Sequence, residues 1–341
     1  MPTSLDAIAF LHAPGAILDV RSPAEYARGH IPGAANLPLF SDEERAQVGI
    51  CYKHQGRDAA VELGLAIAGP KLAALVAAAK QLAPDRVVRV HCWRGGMRSG
   101  SVAWLLETAG FQVTTLTLGY KGFRRWAQAC CTTPRPMILL GGMTGTGKTD
   151  SLQAIARRGE PMLDLEHLAS HRGSSFGSLG LPAQPSNEQF ENRMAIALQQ
   201  LPPDRPVWIE AESRRIGLCR IPHELFEQML RAPMIQVERS RAERVAILVA
   251  VYQVAPIADL IAATERLHKR LGGQRTQTAV AHLQSDRLPE ACEVILDYYD
   301  HTYAHALKRH LGPVYTVDVT GLSADDSAAL ILDTASTLWR S

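Results

Sequence analysis

Two short stretches of this chain combine residue types that could do chemistry. The first is the run VVRVHCWRGGMRSGSVAWLLETAG, Val87 to Gly110. It reads as a strand ending at His91, with Cys92 at its carboxyl end. A loop, Trp93 to Arg98, leads into a helix capped by Ser99 and stopped near Gly110. Gly95 and Gly96 let the backbone curl so that successive N–H groups face the sulfur. The helix N-terminus adds partial positive charge, and Arg94 and Arg98 add full charges. Together these predict a Cys92 thiolate near neutral pH, a nucleophile in a cradle that also fits a tetrahedral anion. The plainer alternative is a buried structural cysteine between solvated arginines. The combination of strand, glycines, arginines and helix favours the nucleophile.

The second stretch is Gly142 to Thr149, GMTGTGKT, which matches G-x-x-x-x-G-K-[ST] directly after the apolar run Met137–Leu140. Gly142, Gly145 and Gly147 shape a loop whose N–H groups cradle phosphates. Lys148 reaches the terminal phosphates, and the Thr149 hydroxyl is a candidate Mg²⁺ ligand. A strand of apolar residues ending in Asp, the usual metal-binding partner of such a loop, is missing. The substitutes are Asp164 and Glu166, after Pro161-Met162-Leu163, and Glu210 and Glu212 in VWIEAE. Each is a candidate catalytic or metal carboxylate, and each also fits a helix cap or a salt bridge. A phosphate cradle reads phosphates and leaves open what group carries them.

Arg172, in the Gly- and Ser-rich run RGSSFG, is a candidate for closing over an anion, and Arg214 and Arg215 follow another strand end. His301 and His305 share a helix face without a third ligand, which points to a solvated face. Lys121, Arg124 and Arg125 beside Trp126, and Lys269, Arg270 and Arg275, form the two basic patches that could track an RNA backbone.

The elements that must position these residues alternate. Ala16–Val20 and Arg86–His91 read as strands, and Ala59–Leu82 and Ser99–Thr108 as helices, which implies a mostly parallel sheet. The segment Arg124 to Pro136 has two prolines and no clean period, which suits a linker. A second α/β unit opens at Met137 and continues with strands near Met162–Leu165, Val207–Glu210, Met234–Val237 and Val314–Val319. The boundaries read as 1–128, a linker at 129–136, and 137–341.

The 341 residues suit two domains, and 46% apolar content supplies ordinary cores. A formal charge of +2 confines any nucleic-acid surface to a local patch. The N-terminus has no signal-peptide pattern, and the apolar run Val245–Ala263 is interrupted by Gln253, Pro256 and Asp259, so a buried helix is expected there. The six cysteines include no C-x-x-C pair, which argues for packing over disulfides and for a cytoplasmic protein without a membrane partner. Adjacent Cys130 and Cys131 are expected to be structural.

Leu18 to Tyr26, LDVRSPAEY at the end of a strand, has a capping box at Ser22 and Glu25 with Pro23 at the first helical position. With GHIPGAANLP from Gly29, the Cys92 loop and the closing LGYKG at Leu118 to Gly122, it resembles the rhodanese superfamily over residues 4–128. That resemblance implies a cysteine carrying sulfur or selenium as a persulfide-type adduct. The spacing Cys92-x5-Arg98 is one residue longer than the usual sulfurtransferase loop and equals that of rhodanese-fold phosphatases.

Together with DLEHLASHRGSSFG, IEAESRRIG and RLGGQRT, the whole chain resembles the bacterial tRNA 2-selenouridine synthases. The fold implied is α/β, a rhodanese-like parallel sheet with flanking helices followed by a P-loop NTPase-like domain. The activity implied is S-geranylation of wobble 2-thiouridine in tRNA with geranyl diphosphate, then replacement by selenium from selenophosphate through Cys92, presented as a perselenide. Geranyl diphosphate and selenophosphate are then co-substrates, tRNA is the partner alongside a selenophosphate-producing enzyme, and no tightly bound cofactor is implied. Whether Mg²⁺ or any other metal binds stays open. Two alternatives from the residues alone are a Cys-x5-Arg phosphatase and a nucleotide- or redox-sensing RNA-binding module.

Overall fold

The computed structural model describes residues 2–338, and the chain divides into two compact units, residues 1–130 and 131–341. In the first, β-branched and leucine-rich runs form five strands: β1 (Thr3–Leu5), β2 (Ala16–Asp19), β3 (Ala35–Asn36), β4 (Val87–His91) and β5 (Gln112–Leu116). They pair in the order β1-β5-β4-β2-β3, all parallel. Leu18, Val88 and Val90 of the sheet pack with Val102 and Leu106 of the helix Met97–Thr108 and with Leu75 and Ala79 of the helix Leu72–Leu82. Both β2 and β4 are central, so Asp19 and His91 end at one edge of the sheet, where parallel α/β folds place their chemistry.

The expected single helix over 59–82 is two helices, Arg57–Ala68 and Leu72–Leu82, separated by a tight turn at Gly69–Lys71 where Pro70 cannot donate to the ladder. By length and composition alone, Arg57–Leu82 is apolar enough to cross a membrane. The segment read as a linker is helical through Thr132: the helix Gly119–Thr132 runs on past Arg124, and Tyr120, Phe123, Ala127 and Cys131 are buried at helical spacing.

The second unit continues with β6 (Met137–Gly142), β7 (Met162–Leu163), β8 (Val207–Glu210), β9 (Arg215–Ile216), β10 (Cys219–Arg220), β11 (Met234–Glu238) and β12 (Val314–Asp318). Five of these form a parallel sheet ordered β12-β11-β6-β8-β7, while β9 and β10 make a small antiparallel pair. Ile138, Leu140, Trp208, Ile235 and Val237 form its core with Leu152 and Ile155 of the helix Lys148–Arg157. A separate helical cluster, centred on Leu260, Ala263, Leu267, Ala279 and Leu283, stands on the helices Ile257–Arg266, Gly273–Gln284 and Leu288–Leu307. The apolar run Val245–Ala263 belongs to two helices, Arg241–Tyr252 and Ile257–Arg266. Its buried residues include Val245, Leu260 and Ala263, but Val254 at the break is exposed.

Candidate active site

In the first unit, Cys92 follows β4 and is buried. Two close approaches shape its loop. Gly95 has φ +66°, and a Cβ there would lie 2.7 Å from the Leu116 carbonyl oxygen. Gly119 has φ +56°, and a Cβ would meet the Cys92 carbonyl oxygen at 2.4 Å. The helix Gly119–Thr132 seizes the loop from below, Tyr120 N–H donating to the Cys92 carbonyl at 2.8 Å and Lys121 N–H to that of Trp93 at 2.9 Å.

Gly96, not Ser99, caps the helix Met97–Thr108. Ser99 instead lies one turn in, its Oγ 3.2 Å from Cys92 Sγ and 3.1 Å from the Gly96 carbonyl oxygen; its proton turns to the sulfur when Cys92 is a thiolate and to the carbonyl when it is a thiol. Burial opposes ionisation of the Cys92 thiol. The Ser99 hydroxyl, the backbone N–H groups of Ser99 and Arg94, and the charge of Arg98 outweigh it and hold the thiol below its ordinary range. Replacing Ser99 by Ala removes a donor to the thiolate, so the Cys92 titration midpoint is expected to rise. Thiolate ultraviolet absorbance against pH, with Cys92→Ser as blank, checks this; an unmoved midpoint contradicts the Ser99 role.

Arg98 is not wholly given to the sulfur. Its Nη1 lies 2.7 Å from Glu25, the capping-box carboxylate, which Arg45 also approaches at 3.6 Å. Arg94 is exposed and reaches the sulfur through its backbone N–H. Behind the loop, Arg21 is only 1% exposed, bound to Asp19 at 2.6 Å and stacked 3.8 Å over the Tyr120 ring. Burial pushes the imidazole of His91 down to about 4, so it is neutral at pH 7 beside this pair.

In the second unit the phosphate loop joins β6 to the helix Lys148–Arg157. Gly142, Gly145 and Gly147 all have positive φ (151°, 83° and 78°). A Cβ on Gly142 would sit 2.7 Å from the Val237 carbonyl oxygen and one on Gly145 2.7 Å from that of Arg244, so the spacing of the motif is enforced by packing. Two arginines that sequence reasoning missed brace the loop from behind. Arg239 donates to the Thr146 carbonyl at 3.2 Å; Arg244 donates to that of Thr144 at 2.8 Å and is itself paired with Asp300. No local motif marks them, because they lie about a hundred residues downstream on another element.

Lys148 Nζ donates to the Gly142 carbonyl at 2.9 Å and lies 3.6 Å from Glu210. Glu210 ends β8, whose Glu210 pairs in register with Leu140 of β6, which is why it stands beside the loop. The Thr149 hydroxyl lies 3.4 Å from Glu166 and 3.3 Å from Glu210. Oxygens of Glu166, Glu210 and Glu212 all lie within 4.8 Å of one another. Burial, then the neighbouring Glu210 charge, pushes the carboxyl of Glu166 up to about 9 and that of Glu212 up to about 8, and burial raises Glu210 too. Three such carboxyls cannot all ionise together; at pH 7 Glu166 and Glu212 hold protons or share a cation that replaces them. An all-oxygen donor set with a hydroxyl suits Mg²⁺.

Asp164 stands apart in role, capping the short helix Leu165–Ala169 through the N–H of His167. Arg172 donates to the Leu179 carbonyl at 2.9 Å, within its own loop, and not to the phosphate loop. Its neighbour Gly173 has φ +65° and packs so closely on Glu212 that a Cβ would lie 2.7 Å from the carboxylate. Arg214 and Arg215 donate to the backbone carbonyls of Ile221 and Gly217. Lys121, Arg125, Lys269, Arg270 and Arg275 are exposed, Arg124 is half-buried, and Trp126 tilts onto Phe123 with ring centres 5.4 Å apart. Among the described residues, His301 and His305 join no cluster with metal-ligand spacing.

An apolar cavity of about 40 Å³ opens beside the loop, lined by Thr144 of the loop itself, Ser174, Phe176, Tyr252, Leu260 and Leu296 among others. Sequence reasoning could not name it, since its walls come from four separate segments.

Residues 4–125 match a rhodanese-like domain model, and residues 135–320 match the tRNA 2-selenouridine synthase AAA domain model. A tRNA 2-selenouridine synthase of Bordetella petrii is 36% identical over 86% of this chain and 87% of its own length. One from Alcanivorax borkumensis is 35% identical over 92% and 94%. A third, from Verminephrobacter eiseniae, is 36% identical over 88% and 87%.

Proposed function

The chain belongs to the tRNA 2-selenouridine synthase family, and from that membership we propose that it divides two reactions between its two anion-binding loops. At the phosphate loop, the sulfur of 2-thiouridine attacks C1 of geranyl diphosphate. The C–S bond forms, the C–O bond breaks, diphosphate leaves with the electron pair, and the N3 proton is lost. The loop N–H groups and Lys148 take up the charge that develops on the departing diphosphate. At Cys92, the thiolate attacks the phosphorus of selenophosphate and the P–Se bond breaks; the selenide released attacks C2 of the activated nucleoside, the C2–Se bond forms, the geranylated sulfur departs as a thiolate, and water then cleaves the S–P bond on Cys92 to give phosphate. Alkylation is what makes that departure easy.

The observation that carries this reading is the apolar cavity opening at Thr144 of a phosphate loop. Phosphate cradle and hydrocarbon cavity share a residue, which fits an organic diphosphate with a hydrocarbon tail. The tRNA substrate comes with the family; the exposed cations Lys121, Arg125, Lys269, Arg270 and Arg275 are the candidate backbone contacts.

Mg²⁺ would be held by Thr149, Glu166 and Glu210, with Glu212 adjoining, and would supply further charge for the diphosphate. Glu210→Gln is expected to weaken Mn²⁺ binding at least about tenfold, because it removes one full charge from a site of few ligands. Electron paramagnetic titration with Mn²⁺ checks this without any turnover; unchanged affinity would remove the metal from the site.

The direct test uses purified protein and bulk tRNA carrying 2-thiouridines, with nucleosides identified by mass spectrometry. Geranyl diphosphate alone should give S-geranyl-2-thiouridine, and later addition of selenophosphate should convert it to 2-selenouridine. Selenium incorporation without geranyl diphosphate would refute the sequence of steps.

A further inference from the structure

The cavity beside the phosphate loop ends against a wall that it shares with a second cavity. Leu260, Leu283 and Leu288 line both spaces: the first of about 40 Å³ and the second of about 160 Å³, whose other walls include Val249, Gln253 and Asp286. Leu260 and Leu283 are 4% and 3% exposed and belong to the helical core. Gln253 and Asp286 are exposed, so the second cavity has polar, wet margins where the first is lined almost entirely by carbon.

The geometry points to Leu260, Leu283 and Leu288 as the residues that set the length of hydrocarbon chain the site accepts. This rests on the prenyl-diphosphate reading above and deepens it. A chain whose diphosphate is fixed at Gly142–Thr149 runs past Thr144, places its terminal carbons in the first cavity and stops at the leucines. A donor longer by one isoprene unit overlaps them, and a close-packed interior yields to such overlap only at a cost. Removing leucine carbons joins the first cavity to the second and gives the extra unit an apolar path. Filling the first cavity, in contrast, moves the stop toward the loop. Cys292 is placed for that, since it lines the first cavity and not the second. The bonds made and broken stay those of the geranyl reaction, with only the length of the transferred group changed.

The test compares full-length wild type, Leu283→Ala, Leu288→Ala and Cys292→Leu with dimethylallyl, geranyl and farnesyl diphosphates on 2-thiouridine tRNA. Circular dichroism verifies the fold. The farnesyl-to-geranyl ratio of kcat/KM is expected to rise about tenfold in the leucine variants, the discrimination a few methylenes give in an apolar pocket. In Cys292→Leu the geranyl-to-dimethylallyl ratio is expected to fall by a similar factor. Folded variants whose ratios match wild type overturn the wall. Should both leucine variants fail to fold, Cys292→Leu decides alone, and an unchanged ratio there overturns it. A wild-type protein that transfers no prenyl group from any of the donors refutes the underlying reading and the wall with it. A wild type that prefers geranyl beside variants that keep that preference refutes the wall alone.

Discussion

Lys148→Ala is expected to lower geranyl transfer to tRNA by about 10²–10³-fold, the range seen when one preorganised donor to a developing negative charge is lost. Lys148 is the full cation that the phosphate loop brings to the diphosphate, and nothing else in the loop carries charge. In the free protein it is held ready, its Nζ on the Gly142 carbonyl and 3.6 Å from Glu210. The variant also leaves Glu210 among raised carboxyls without its neighbouring cation, which favours the protonated form further. A Mn²⁺ titration therefore distinguishes the two losses: weaker diphosphate use with unchanged Mn²⁺ affinity assigns the effect to the anion. Geranylation that survives in Lys148→Ala would take the phosphate loop out of the reaction.

Cys92→Ser is expected to abolish selenium incorporation while leaving geranylation within about twofold of wild type, the scatter usual for independent sites. Sulfur is the atom the loop was shaped around. Ser99 Oγ, two backbone N–H groups and Arg98 converge on a thiolate, and a serine hydroxyl in that place does not ionise. The tRNA should accumulate the S-geranyl nucleoside, measured as a rise of that species when both donors are present. Both steps intact in Cys92→Ser would remove Cys92 from its assigned role.

The two loops were legible in the sequence because each is contiguous. Strand, turn glycines and helix lie within a few residues, so the backbone requirement and the chemistry can be read together. The Cys92 loop and the Gly142–Thr149 loop both stand at the carboxyl ends of central parallel strands, β4 and β6. The carboxylates Glu166, Glu210 and Glu212 were found by their nearness to strand ends, although spacing could not separate them from Asp164, which caps a helix.

What the sequence hid was long-range. Glu25 reads as half of a capping box and is one, yet the same carboxylate also holds Arg98. Ser99 reads as a cap and instead meets the sulfur from one turn inside the helix. Arg239 and Arg244 brace the phosphate loop from the far side of the sheet's connections, and no pattern of spacing announces them. The helical reach of Phe123, Ala127 and Cys131 was hidden because the segment from Arg124 to Pro136 shows no clean period and its two prolines follow directly after the helix. The cavity wall at Leu260, Leu283 and Leu288 depends on three helices packing, which a linear pattern does not encode.

The division of labour between the loops is tested most directly by giving tRNA that already carries S-geranyl-2-thiouridine to Lys148→Ala and to Cys92→Ser, with selenophosphate and no geranyl diphosphate. Lys148→Ala should form 2-selenouridine at close to the wild-type rate, and Cys92→Ser should form none. Conversion by Cys92→Ser, or its absence from an otherwise folded Lys148→Ala, would contradict the assignment of one reaction to each loop.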